Sequence, residues 1–183
     1  MCRCDLAKFR VCMQVEFALM IRMTIRDKEV SCTEEETMVE ASELRELELF
    51  SQFSDKLLEE LARITEKRAY KTRSHVYNYG DQARFLFVVS KGTVSLRALK
   101  AAEEEGVTYE TRTPGDFFGA ASFMKPQQYT LTAVCLEDTE VFAIDGDKLS
   151  ALCENDPKLG YELMKKIAMI YFERFRLDRD RII

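Results

Sequence analysis

Three hydrophobic rhythms divide the chain. From Phe9 to Ile25 every second residue is apolar: Phe9, Val11, Met13, Val15, Phe17, Leu19, Ile21, Met23 and Ile25. That is the period of a β-strand. The intervening Cys12, Ala18 and Met20 keep a helix open, and a strand of that length exceeds the usual span of about five or six residues. A third reading also stays open for residues 1–37, a segment ahead of the natural start, because Met38 begins a stretch that looks like an ordinary N-terminus.

The second rhythm is helical. Thr33 with Glu36 has the spacing of a capping box and predicts a charged helix running toward Phe50, with Leu44, Leu47 and Leu49 as its contacts. Ser54 caps a second helix, Asp55 to about Glu66, whose Leu57, Leu58, Leu61 and Ile64 share one face.

From Tyr70 the rhythm shortens to strands punctuated by turns: His75–Tyr79, Phe85–Val89, Thr93–Leu99, Val107–Arg112, Thr130–Cys135 and Glu140–Ile144. Strands at this spacing predict a β-sandwich or a jelly-roll barrel. Asp145 opens a short helix through Leu152, and Asp156-Pro157 starts a last helix reaching about Arg181. On it Tyr161, Met164, Ala168, Tyr171 and Phe175 form one stripe, and Leu163, Ile167, Ile170 and Leu177 an adjacent one. One stripe packs on the barrel; the surplus seam predicts pairing with a second copy of the chain. Arg174, Arg176, Arg179 and Arg181 alternate with Glu173, Asp178 and Asp180, the pattern of a solvated face with ion pairs along the helix.

Composition narrows the function classes. With 46% hydrophobic and 32% charged residues the 183-residue chain can build a packed core. A net charge of -5 argues against a dedicated nucleic-acid surface. No apolar run approaches membrane-spanning length. Val11 to Ile25 is broken by Gln14, Glu16 and Arg22 and lacks a small-residue cleavage site, so it does not read as a signal peptide and the expected location is cytoplasmic. The six cysteines, Cys2, Cys4, Cys12, Cys32, Cys135 and Cys153, lack paired metal-ligand spacing and read as reduced thiols. His75 is the only histidine, too few for a jelly-roll metal enzyme or a Ser-His-Asp triad; it reads as a surface strand residue. The expectation is no catalytic residue and no metal site.

The most informative stretch is Thr113-Pro114-Gly115-Asp116-Phe117-Phe118-Gly119-Ala120-Ala121-Ser122-Phe123. Two glycines bracket an aromatic pair and a small-residue turn follows, the layout of a loop whose amides can point at an anion. With Leu49-Phe50-Ser51-Gln52-Phe53-Ser54, Tyr79-Gly80-Asp81 and Phe85-Leu86-Phe87-Val88-Val89-Ser90-Lys91-Gly92, in that order and spacing, the chain from about residue 40 to 181 resembles the cyclic nucleotide-binding domain. That family includes catabolite-activator-type regulators, protein kinase A regulatory subunits and cyclic-nucleotide-gated channels. The resemblance implies a mainly β fold, a double-stranded β-helix or jelly-roll barrel with N-terminal helices and a long C-terminal helix. It divides the chain into an extension over 1–37 and the domain over 38–183.

The resemblance also makes the loop a phosphate-binding cassette, with Gly115, Phe118, Gly119, Ala120, Ala121, Ser122, Tyr129 and Thr130 as its candidate ligand-binding residues; Phe117 and Phe118 read as core rather than as a stacking platform. Two positions depart from the family pattern. Ala120 stands where a glutamate would hold the ribose, and Tyr129 where an arginine would neutralise the cyclic phosphate. Alanine accepts no hydrogen bond and tyrosine is uncharged at neutral pH. Two charge-assisted contacts of about 1.5–3 kcal/mol each are lost, which weakens binding by about two to four orders of magnitude. Lys125 and Arg112 lie near enough in sequence to supply charge instead.

The expectation is therefore a non-enzymatic sensor or regulatory domain with a degenerate cassette. No cofactor is certain from the sequence, and the candidate ligands are a cyclic nucleotide, bound weakly or not at all, or another small anion. The expected partners are a second copy through the last helix and possible protein partners, with neither membrane nor direct DNA binding, since the chain stops at Ile183 with no room for a helix-turn-helix. The alternatives are the effector-binding half of a catabolite-activator-type transcription regulator and a pure interaction scaffold.

Overall fold

The computed structural model describes residues 32–33, 39–98 and 107–182, with side chains as far as Arg176. The alternating segment before residue 32, Glu36, Leu99 and the side chains of Leu177, Asp178, Arg179, Asp180 and Arg181 lie outside the described residues.

The strands are β1 (Cys32–Thr33), β2 (Thr65–Tyr70), β3 (His75–Tyr77), β4 (Phe85–Lys91), β5 (Val94–Ala98), β6 (Val107–Arg112), β7 (Phe117–Phe118), β8 (Thr132–Cys135) and β9 (Thr139–Asp145). The helices are α1 (Ala41–Arg45), α2 (Asp55–Ala62), α3 (Gly146–Asn155) and α4 (Pro157–Ile182), and a 3-10 turn spans Ala120–Phe123. All pairings are antiparallel, in a five-stranded sheet ordered β1-β2-β9-β4-β7 and a four-stranded sheet ordered β3-β8-β5-β6. The fold is mainly β, a jelly roll with helices before it and a long helix after it.

Period-two alternation explains how the layers stack. Along β4, Leu86 and Val88 face the helices while Phe87 and Val89 face the second sheet; along β9, Phe142 and Ile144 go to the helices and Val141 and Ala143 to the sheet. These strands are buried on both sides, so they read as continuous apolar runs. The same rule splits the aromatic pair of β7: Phe117 joins the helix-side core with Leu58, Leu61, Leu149 and Leu163, and Phe118 joins the core between the sheets.

Several elements differ from the sequence reading. Thr33 lies in β1, and the capping box is instead Glu40 with Glu43 at the start of α1. That helix stops at Arg45, and the chain continues in three-residue turns: Leu47 N donates to Leu44 O, Phe50 N to Leu47 O and Phe53 N to Phe50 O. Helix α2 ends at Ala62 rather than Glu66, because Thr65 turns its backbone into β2 against β9. The strands His75–Tyr79 and Thr130–Cys135 shorten to His75–Tyr77 and Thr132–Cys135.

Helix α4 carries 26 residues, about 39 Å at 1.5 Å per residue. Asp156 caps it, its Oδ1 accepting from Lys158 N and Leu159 N. Leu159, Leu163 and Ile167 are buried, while Tyr161, Met164, Phe172 and Phe175 remain exposed.

Candidate functional site

The loop after β6 is built from the turn outward. Pro114 and Gly115 occupy the central positions of a turn closed by Asp116 N donating to Thr113 O (2.9 Å). Gly115 has φ 90°, the value a type II turn demands after proline. Asp116 Oδ2 accepts from Thr113 N (2.9 Å) and from its hydroxyl (3.1 Å). Phe117 and Phe118 then pair with Val88 and Phe87 as an edge strand, and Gly119, at φ 79°, leads into the 3-10 turn.

Gly119 is needed twice over. Its φ is left-handed, and a Cβ there would lie 2.9 Å from Phe85 O and 3.2 Å from the Phe87 ring. The backbone at this glycine therefore approaches β4 and its side chains closely.

The candidate residues sit in different environments. Phe118, Ala120, Ser122 and Tyr129 are buried, Gly115, Gly119 and Ala121 are half-buried, and Thr130 is exposed. Ser122 Oγ is buried without a hydrogen-bond partner among the described residues. Tyr129 points inward: its hydroxyl donates to Phe85 O (2.9 Å) and accepts from Phe85 N (3.2 Å). Its ring stacks on Tyr77 with centroids 3.6 Å apart and planes 11° apart. Phe118 stacks on Phe87 at 5.1 Å and lies 5.9 Å from Tyr77. Four aromatic rings thus fill the interior beside the cassette. Burial pushes both phenols up from their usual range, so they are neutral donors at physiological pH.

Of the nearby cations, Arg112 and Arg174 are engaged, although one terminal nitrogen of Arg174 is buried without a hydrogen-bond partner among the described residues. Arg112 is 2% exposed; its Nε donates to Phe117 O (3.0 Å), one terminal nitrogen to Thr111 O (3.2 Å) and the other to Glu110 Oε2 (2.6 Å). Lys125 is exposed. Arg174, read from sequence as part of a solvated helix face, instead donates to Asp116 Oδ1 (2.5 Å), fifty-eight residues away in sequence. Its guanidinium lies over the Phe117 ring at 5.6 Å, and Tyr171 meets that ring edge-on at 5.5 Å. Helix α4 is thereby strapped to the cassette strand. No local pattern announces this contact; only the jelly-roll topology brings the two segments together.

His75 is half-buried at the sheet edge, its Nδ1 2.7 Å from Asn78 Oδ1. No group of three or more metal-ligating side chains is assembled among the described residues. Cys135 and Cys153 are free; burial pushes the Cys135 thiol up to about 11. No described helix is long and apolar enough to cross a membrane.

A two-sheet jelly roll with a glycine-flanked turn at one sheet edge and a terminal helix fastened across it is the architecture of the cyclic nucleotide-binding-like domain class. Residues 67–156 match the cyclic nucleotide-binding domain family. The chain is 27% identical over 103 residues to the cyclic AMP receptor protein of Thermus thermophilus, covering 56% of this chain and 47% of that protein. It is 25% identical over 132 residues to cGMP-dependent protein kinase, isozyme 1, of Drosophila melanogaster, covering 69% of this chain and 17% of the kinase. A crystal structure of a Geobacter metallireducens protein named for cyclic nucleotide binding superposes with a TM-score of 0.68 at 28% identity, over 75% of this chain and 99% of that one. These matches support placing residues 67–156 in the cyclic nucleotide-binding domain superfamily. The chain spans about half the length of the receptor protein and about a sixth of the kinase.

Proposed function

We propose that this domain is a non-enzymatic regulatory module whose cassette has lost tight binding of cyclic nucleotides and whose last helix carries the output. The observation that carries this reading is Tyr129. Its phenol offers no positive charge to a phosphate and is spent on the Phe85 backbone, and Ala120 offers nothing to a ribose. Arg112 does not replace the missing charge, because Glu110 and two carbonyls engage its guanidinium. The output route is the strap: movement of Asp116 or Phe117 acts directly on Arg174 and Tyr171 of α4. An input shifts that helix only through its different affinity for two positions of the cassette.

Titration calorimetry with cyclic AMP and cyclic GMP tests the reading. The expected result is no saturable heat at up to about 100 μM nucleotide, the range left by losing two to four orders of magnitude. Micromolar affinity in the unaltered protein would overturn it. The double substitution Ala120→Glu with Tyr129→Arg is expected to restore measurable affinity.

A second reading is favoured by coverage. The chain spans 47% of the Thermus cyclic AMP receptor protein and 47% of the anaerobic regulatory protein of Bacillus subtilis. On that reading the domain is the effector half of a transcription regulator and does not bind DNA by itself. A mobility shift of duplex DNA by this chain alone would contradict it.

A further inference from the structure

A cavity lies away from the cassette, between the turns at residues 48–53 and the first half of α4. Its volume is about 510 Å³, within the size of small-molecule sites. One wall is ordered by the successive turns through Phe50 and Phe53 and by Ser51 Oγ donating to Glu48 O (3.1 Å). The other wall is a single helix face, since Lys158, Glu162, Lys165, Lys166 and Met169 recur at three and four residues. Leu49, Phe53 and Met169 supply the apolar lining, and Met169 is 52% exposed. An aromatic ring beside a thioether is a surface suited to another flat ring.

The charge in this cavity is lopsided. Lys166 Nζ stands 3.3 Å from Glu48 Oε1, and those two neutralise each other. Lys158 and Lys165 then face one remaining carboxylate, Glu162. Neither makes an ion pair among the described residues; Lys165 rests 5.8 Å over the Tyr161 ring. The amides of the first helical turn are already taken by Asp156, so the attraction available to a ligand comes from the two ammonium groups. In a chain of net charge -5 this is a local positive site with an apolar lining.

We propose that this cavity binds a small aromatic acid, with one anionic head group at Lys158 and Lys165 and its ring against Phe53 and Met169. The ring requirement comes from the lining, and the single charge from the surplus of one lysine. The site is independent of the cassette, so its failure leaves the reading of Tyr129 and Ala120 untouched, and the reverse also holds.

Anilinonaphthalene sulfonate serves as the probe and neutral phenylnaphthylamine as its uncharged counterpart, each titrated against the 183-residue chain carrying 13C-methyl methionine. Three methyl groups report separately: Met169 in this cavity, Met124 at the end of the cassette turn and Met164 on the exposed seam. The expected result is a saturable shift of Met169 with the sulfonate. Binding should be about fivefold weaker in Lys158→Gln/Lys165→Gln and weaken similarly at about 0.5 M salt, with the neutral compound unaffected by either change. Both lysines are exposed, and an unchanged circular dichroism spectrum certifies the variant's fold. Movement of Met124 or Met164 in place of Met169, equal affinity for the neutral compound, equal affinity in the variant, or no shift at all would each overturn the proposal.

Discussion

Tyr129 Oη donates to the carbonyl of Phe85 and accepts from its amide, so one side chain closes both backbone groups of the first residue of β4. Tyr129→Phe removes those partners and leaves the ring stack in place. The expected cost is about 1–3 kcal/mol, since both Phe85 groups must then be satisfied elsewhere; urea unfolding measures it, and a change within error would show that water substitutes freely. A second residue-scale test uses pH. Asp138 is held down to about 2, first by its hydrogen bond from Lys71 (2.9 Å) and then by the Thr72 amide (3.0 Å) and hydroxyl (3.1 Å). A carboxylate depressed in the folded state contributes its stability above its unfolded value, about 3.9, and loses it as pH falls through the folded value. Asp138→Asn should therefore lower the urea midpoint at pH 7, the gap shrinking as pH falls below about 4 and closing only below about 2. A constant gap down to that pH would refute the assignment.

At the scale of elements, the contact that matters is between α4 and β7. Arg174→Gln breaks the pair with Asp116 while the Thr113 turn keeps its own hydrogen bonds to that carboxylate. The loss of a charge-assisted contact, about 1.5–3 kcal/mol, should appear as faster amide exchange in the second half of α4, with the first half, anchored by Leu159, Leu163 and Ile167, unchanged. Uniform protection along the helix would mean that the strap holds nothing. The elements themselves were unequally legible in the sequence. β4 and β9 show as apolar runs, β5 by the alternation that follows Gly92, and α3 and α4 through Asp145 and Asp156. β2 does not show, because Glu66, Lys67 and Arg68 hide a strand whose buried ends are only Thr65 and Tyr70. β7 is two residues long, below any detectable period. In the cassette, the glycines mark the turn, but the sequence contains no local sign that Tyr129 bonds Phe85, that Glu110 engages Arg112, or that Arg174 crosses to Asp116. The first and the last of these partnerships depend on topology rather than on spacing along an element, whereas Glu110 and Arg112 lie two apart on one face of β6.

For the whole molecule, the exposed aromatic seam of α4 gives the oligomer prediction. Phe172 and Phe175 are 67% and 68% exposed, and large apolar side chains grouped on one helix face call for a partner surface. Light scattering after size exclusion should give a dimer at about 100 μM, above the micromolar upper end of affinities for standard-sized interfaces. Phe172→Glu with Phe175→Glu should give a folded monomer. A monomeric unaltered protein at that concentration would remove the seam as an output surface. The packed rings inside the barrel carry a practical corollary. The chain has no tryptophan, so its near-ultraviolet optical activity comes from phenols and phenylalanines, and two phenols lying 3.6 Å apart in nearly parallel planes are a strongly coupled chromophore pair. A rearrangement that separates the Tyr77 and Tyr129 rings would change this signal, and the protein thus contains a label-free optical gauge of the packing beside its cassette.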